Sequence, residues 1–147
     1  MKISDFLSPS DTLLNIRVSD KEQLLRELAH KAAAKVKVSE DDIVSALLKR
    51  EALGSTGMGN GVALPHARFA TLDKPFGMIA RLKQPIQFDA IDGQPVDIVF
   101  VLLSPAAAEG EQLGALASVS RRLRASNDLA RLRKTKTASD LYAALTA

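Results

Sequence analysis

The stretch REALGSTGMGNGVALPHAR, from Arg50 to Arg68, divides the chain. Its first residues close a helix, because Gly54 suits the position just past a helix C-terminus. Four glycines then fall within eight residues, at Gly54, Gly57, Gly59 and Gly61. That density predicts a loop and no regular element, since glycine loses the most backbone entropy on ordering. Gly61 to Ala67 predicts a short strand leading through Pro65 to His66. Pro65 fixes its own φ and biases Leu64 toward extended geometry.

Helical sequence lies upstream of this stretch. After a β-like piece at Thr12 to Arg17, Ser19-Asp20-Lys21-Glu22 reads as a capping box with Glu22 reaching back. Leu24, Leu25, Leu28, Ala29, Ala32 and Val36 then recur at helical spacing. Ser39-Glu40-Asp41-Asp42 opens a second helix by the same logic, with Ile43, Val44, Leu47 and Leu48 on its inner face. Strand-like sequence lies downstream. Phe76, Met78, Ala80 and Leu82 alternate with other residues, and Pro85 to Phe88 is a brief extended piece. Asp92-Gly93 is a turn signal. Val96 to Leu103 is an apolar run but for Asp97, expected of a strand buried on both faces.

From Glu109 the helical pattern returns, with Leu113, Leu116, Ser120 and Leu123 on one face. Ser126-Asn127 punctuates it before a short helix at Asp128 to Arg133. Thr137-Ala138-Ser139-Asp140 caps a terminal helix holding Leu141 and Leu145. This order of helices, strands and helices predicts an α/β protein with α+β-like order. The expected architecture is one domain over residues 1–147, a mixed β-sheet of about five strands sandwiched by helices.

Composition sets the outer limits. The chain has 147 residues, 46% apolar and 25% charged, which suits one domain with a substantial core. It has no cysteine, which excludes disulfides, thiolate nucleophiles and iron–sulfur clusters. Two histidines, His30 and His66, are too few for a multi-histidine metal site within one chain. Met1 to Leu14 carries Asp5 and Asp11 and has no apolar segment of a secretory signal. No apolar run approaches the roughly 20 residues of a membrane span. A cytoplasmic protein with no direct membrane insertion is expected.

Charge is unevenly placed. Residues 1–120 hold 13 basic and 15 acidic residues, whereas residues 121–147 hold seven and two. The terminal cluster is Arg121, Arg122, Arg124, Arg131, Arg133, Lys134 and Lys136. It suits a solvated helical face better than a patch for an anionic partner. With no Trp, one Tyr and no DNA-binding motif, nucleic acid is not expected.

The glycine-rich stretch matches neither familiar nucleotide motif. Gly54 and Gly59 have P-loop spacing, but Asn60 stands where lysine is required. The dinucleotide fingerprint needs a different glycine spacing and a strand before it. What remains is a loop with free backbone N–H groups, able to form an anion-binding nest. Arg50 and Arg68 flank it, and arginine recognises phosphoryl oxygens bidentately. A neutral imidazole, with its pKa near 6.5, is a competent nucleophile at neutral pH. The combination suggests a phosphorylatable histidine.

The two histidines separate by geometry. At about 100° per residue, His30 falls on the polar side of its helix. His66 follows Pro65 at the end of an apolar run, where it can be a nucleophile or a structural histidine at a strand end. Glu51 projects into the Ile43/Val44/Leu47 arc with Arg50 at its edge. A carboxylate there needs a partner, in a helix-end ion pair, a cap to the loop, or a supporting role at a phosphoryl site. Ser55, Thr56 and Asn60 can bond a phosphate or His66, and they also suit a turn.

At these residues the sequence resembles the enzyme IIA family of the bacterial phosphoenolpyruvate–sugar phosphotransferase system, in its fructose/mannitol branch, which includes the nitrogen-type regulators. The motif is Arg50-Glu51 followed by Gly54-Ser55-Thr56-Gly57-x-Gly59-Asn60-Gly61-x-Ala63-x-Pro65-His66. The likeness continues through Phe88 to Asp97 and Val101-Leu102-Leu103-Ser104-Pro105. The short length most resembles the nitrogen-type branch. The resemblance implies a mixed sheet covered by helices. It implies that His66 takes a phosphoryl group from a phosphorylated HPr-like carrier protein on Nε2, and that Arg50 stabilises its charge. No metal or cofactor is implied. Many relatives carry a second histidine in the helix after Ser104-Pro105. Here that position falls at Gln112 or Gly114, and Gln112 can still donate a hydrogen bond.

Two further readings stay beside the regulatory carrier. One is a sugar-transport enzyme IIA passing phosphate to a permease domain. The other is a non-catalytic module that binds an anion or a partner and is never phosphorylated. For a regulator, the family implies protein targets such as ion transporters or sensor kinases.

Overall fold

A computed structural model describes residues 1–107 and 109–147. The strand β6 (Val96–Pro105) organises them. Its side chains alternate between two cores, as strand geometry requires. Val99, Val101 and Leu103 enter one core, while Ile98, Phe100 and Leu102 enter the other. This two-sided burial explains the apolar run from Ile98 to Leu103.

Six strands form one mixed sheet around β6. The long strand β5 (Phe76–Ile86) runs antiparallel to it on one side, and β1 (Thr12–Ile16) lies parallel to β5 at the edge. On the other side β6 pairs in parallel with β3 (Val62–Ala63) and with β4 (His66–Phe69). β3 and β4 follow one path interrupted at Leu64-Pro65. Pro65 has no N–H to give, but its carbonyl accepts from Leu102 N at 3.0 Å and keeps the path attached.

Helices cover both faces. α1 (Lys21–Ala33) and α2 (Glu40–Ala52) bury Leu24, Leu25, Leu28, Ile43, Val44 and Leu47 in the first core. α3 (Glu109–Arg124), α4 (Ser126–Lys134) and α5 (Ala138–Thr146) close the second, joined by Ile3, Phe6 and Leu7. The mixed sheet sandwiched by helices is the architecture expected from the order of elements. No helix among the described residues is long and apolar enough to cross a membrane.

Three local expectations are corrected. First, the glycine-rich segment is partly regular: β2 (Gly57–Gly59) forms a hairpin with β3. Asn60 and Gly61 make its two-residue turn with φ of 58° and 81°, the left-handed pair that Asn-Gly favours. Gly57 is there for space, since a Cβ would lie 2.7 Å from the Ala90 backbone. Second, the pieces at 76–82 and 85–88 are one strand as far as Ile86. Third, the cap of α1 is Asp20, whose side chain accepts from Gln23 N at 2.8 Å. Gln23 Oε1 in turn accepts from Ser19 N at 2.6 Å, while Glu22 pairs with Arg26. The carboxylate wins because it satisfies an orphan N–H and complements the helix dipole together. Ser39 and Thr137 cap α2 and α5 as expected.

Candidate functional site

His66 opens β4 opposite Leu102 of β6, so the centre of the sheet sets its position. Its Nδ1 lies 2.9 Å from the Leu64 carbonyl oxygen. A carbonyl can only accept, so Nδ1 carries the hydrogen and Nε2 keeps its lone pair. Burial is the largest influence on the ring and holds its pKa below the ordinary 6.5. The Leu64 carbonyl opposes that shift, the Arg50 charge reinforces it, and Glu51 opposes it. The result at neutral pH is an uncharged imidazole with a nucleophilic Nε2.

Two clefts meet at this ring. One, of about 390 Å³, lies under the glycine-rich segment and is lined by Arg50, Ser55, Thr56, His66 and Arg124 among others. The second, of about 690 Å³, is lined by Lys49, Arg50, His66, Arg68 and Gln112 among others. His66, Arg50 and Leu116 belong to both. No described lining residue of either cleft is acidic.

The end of α2 supplies the supports. Arg50 sits in its last turn, where a cation complements the helix dipole, and donates from Nη1 to the Gly54 carbonyl at 2.8 Å. Glu51, one residue on, is buried. Its Oε1 accepts from Thr56 N at 3.0 Å and pairs with Lys21 Nζ at 3.0 Å, while its Oε2 accepts from the Thr56 hydroxyl. The carboxylate thus has both its ion-pair partner and a loop to hold. It fixes the start of the glycine-rich segment relative to α2, and so relative to Arg50.

The remaining expected site residues divide. Ser55 and Thr56 line the smaller cleft, but their hydroxyl hydrogens are committed to the Phe88 carbonyl and to Glu51. They shape the loop rather than donate to a ligand. Asn60 lies outside both linings: its N–H donates to Asp92 and its carbonyl accepts from Arg133. Arg68 and buried Gln112 reach the larger cleft. His30 is exposed and bonded to Glu40 Oε1 at 2.6 Å, away from the site.

Two contributors were missed from sequence. Lys21 partners Glu51, donates to the Phe88 carbonyl at 3.3 Å and lies 4.4 Å from the Phe88 ring centre. Nothing in its local sequence separates it from any first-turn lysine. Arg124 was read only as part of the terminal basic cluster, yet it lines the His66 cleft.

A nitrogen regulatory protein of Bradyrhizobium diazoefficiens is 43% identical over 145 residues, covering 99% of this chain and 95% of that protein. A nitrogen regulatory protein of Pseudomonas aeruginosa is 37% identical, covering 97% and 93%. The crystal structure of nitrogen regulatory protein IIA-Ntr from Neisseria meningitidis superposes with a TM-score of 0.94 at 35% identity, covering 98% of this chain and 99% of that one. The family model of the phosphoenolpyruvate-dependent sugar phosphotransferase system, EIIA 2, matches residues 5–147. The chain belongs to this EIIA type 2 family of phosphotransferase components.

Proposed function

We propose that this protein is a nitrogen-type phosphoryl carrier in which His66 accepts a phosphoryl group on Nε2 from a phosphorylated HPr-like carrier protein. The observation that carries the site is the Leu64 carbonyl on Nδ1, which leaves Nε2 as the nucleophile in a cleft shared with Arg50. The His66 lone pair forms the new N–P bond as the donor's P–N bond breaks, and the donor imidazole leaves with that electron pair. Positive charge grows on the His66 ring as it attacks, and the Leu64 carbonyl on Nδ1–H stabilises it. Arg50 faces the phosphoryl oxygens. Transfer of this kind asks mainly for positioning and charge stabilisation. Glu51, Ser55 and Thr56 hold the loop.

The nitrogen regulatory relatives are matched over nearly their whole length, which favours a regulator over a sugar relay to a permease domain. Its phosphorylation state would then control partner proteins, because a phosphoryl group adds about two negative charges to a cationic cleft.

Intact mass after incubation with phosphoenolpyruvate, enzyme I and an HPr-type carrier tests the site, with His66→Ala alongside. An acid-labile, phosphate-sized gain absent only from the variant is expected. No gain from a demonstrably charged, cognate carrier would favour the unphosphorylated binding module.

A further inference from the structure

Two further clefts lie on the face built by α3, α4 and α5, and neither includes His66. One, of about 690 Å³, is lined by Lys2, Ser118, Arg121, Arg122 and Asp128 among others. The other, of about 600 Å³, is lined by Arg131, Lys134, Lys136 and Asp140 among others. Asp128 joins them, because it pairs with Arg122 at 4.0 Å and with Arg131 at 2.7 Å. The two clefts thus form one track. Arg124 stands outside it and lines the His66 cleft.

The track is cationic. Among the described residues its lining holds six cations, from Lys2 to Lys136, against two carboxylates, Asp128 and Asp140. Arg121, Lys134 and Lys136 are exposed and have no ion-pair partner among the described residues. The helix dipole accounts for the cations in the last turns of α3 and α4. It does not account for Lys136, which stands between the end of α4 and the Thr137 cap of α5, where two dipoles act in opposite directions. Arg131 and Lys134, three residues apart on α4, also repel each other.

The chemistry of the track favours an acidic peptide over other polyanions. Arg121, Arg122 and Arg131 present planar forks that match carboxylates. Asp128 stands between the clefts, where a peptide can place an uncharged residue but a nucleic acid brings evenly spaced phosphates. Tyr142 is the one aromatic residue of the three helices and packs on the second core, so the track offers no platform for stacking bases. No large apolar side chain of α4 or α5 is exposed among the described residues, so these helices insert nothing into a bilayer.

We propose that this face is a second docking surface, separate from the His66 clefts, which takes an extended acidic segment of a partner protein. Carboxylates of the segment meet Arg121 in one cleft and Lys134 and Lys136 in the other, and an uncharged residue passes Asp128. Binding at this surface goes beyond phosphoryl transfer and does not require His66.

The test titrates the whole chain, labelled with nitrogen-15, with a peptide of eight glutamates. Amide shifts are expected within residues 121–136 and not at Gly57 or His66. Affinity should fall about tenfold or more from low to physiological ionic strength. His66→Ala should bind the peptide as the wild type does. Lys134→Glu and Lys136→Glu should each weaken binding about threefold or more, and Lys49→Glu, which makes the same charge change beside His66, should not. Amide spectra report whether each variant is folded, and either track variant alone suffices. No binding at low salt, binding indifferent to salt, shifts gathered at the His66 clefts, or equal losses from Lys49→Glu each overturn the proposal. So does a DNA duplex or a phosphatidylserine vesicle that displaces the peptide and is itself lost in the track variants, which would assign the cations to nucleic acid or to lipid.

Discussion

His66 Nδ1 and the Leu64 carbonyl oxygen, two residues apart along the chain, lie 2.9 Å apart. The bond crosses Pro65, whose fixed φ makes the geometry of the Leu64-Pro65-His66 corner reproducible. It decides the tautomer before any partner arrives. Nitrogen-15 spectra of the unphosphorylated protein should therefore show a protonated Nδ1 and a lone-pair Nε2. After phosphorylation the phosphorus coupling should appear on Nε2. Coupling on Nδ1 would mean the Leu64 bond breaks during transfer, and the proposed route would be wrong.

The same ring makes a signed prediction about pH. Burial first, with Arg50 adding to it, holds the His66 pKa below 6.5, against the Leu64 carbonyl and Glu51. The unfolded chain therefore binds its proton at a higher pH than the folded protein does. Stability from this residue is fully present above about 6.5 and falls as pH drops toward the folded value. Urea midpoints measured across that window should decline more steeply in the wild type than in His66→Gln. Arg50→Ala should move the His66 titration upward and Glu51→Gln should move it downward. Shifts of the opposite sign would show that these charges do not act on the ring as placed.

Glu51 carries the next prediction. Its removal leaves the Thr56 N–H, the Thr56 hydroxyl and Lys21 without their shared acceptor. Lys21 is partly exposed and recovers some hydration, so Glu51→Ala should cost about 2–4 kcal/mol. Glu51→Gln should cost less, because an amide oxygen can still accept from Thr56. Denaturant unfolding gives both values. Equal costs would mean that shape alone, without charge, holds the loop.

The parts of this structure that were legible in sequence are those governed by local pattern. Val96 to Leu103 announced a strand buried on both faces, and Ser39 and Thr137 announced helix starts. His66 and Arg50 stood out as candidates because their residue types, and the loop between them, limit the chemistry, and both line the same two clefts. β2 was not, because glycine's poor strand propensity was overridden by space: only Gly57 fits against Ala90. Lys21 and Arg124 were not, because long-range packing brings each to its place. Asn60 misled in the other direction. The Asn-Gly pair was a hairpin signal, and its nearness to His66 in the motif gave it a functional weight that its position in the turn does not support.

That turn is held from a distance. Arg133 of α4 grips Asp97 with Nη2 at 2.9 Å and Nε at 3.1 Å, and its Nη2 also donates to the Asn60 carbonyl. Beside it, the Gly61 carbonyl accepts from the N–H groups of Asp97 and Ile98. One arginine thus ties the hairpin that walls the cleft to α4, which packs in the second core beside α3. Both ionic partners are partly exposed, so Arg133→Ala should cost only about 1 kcal/mol overall. Its local effect should be larger than its global one. Amide exchange at Asp97 and Ile98 should quicken while α1 and α2 keep their protection. Arg131→Ala, which removes an ion pair confined to α4, should leave those two amides unchanged. If both variants quicken them alike, α4 supports the hairpin through packing and the Arg133 grip is incidental.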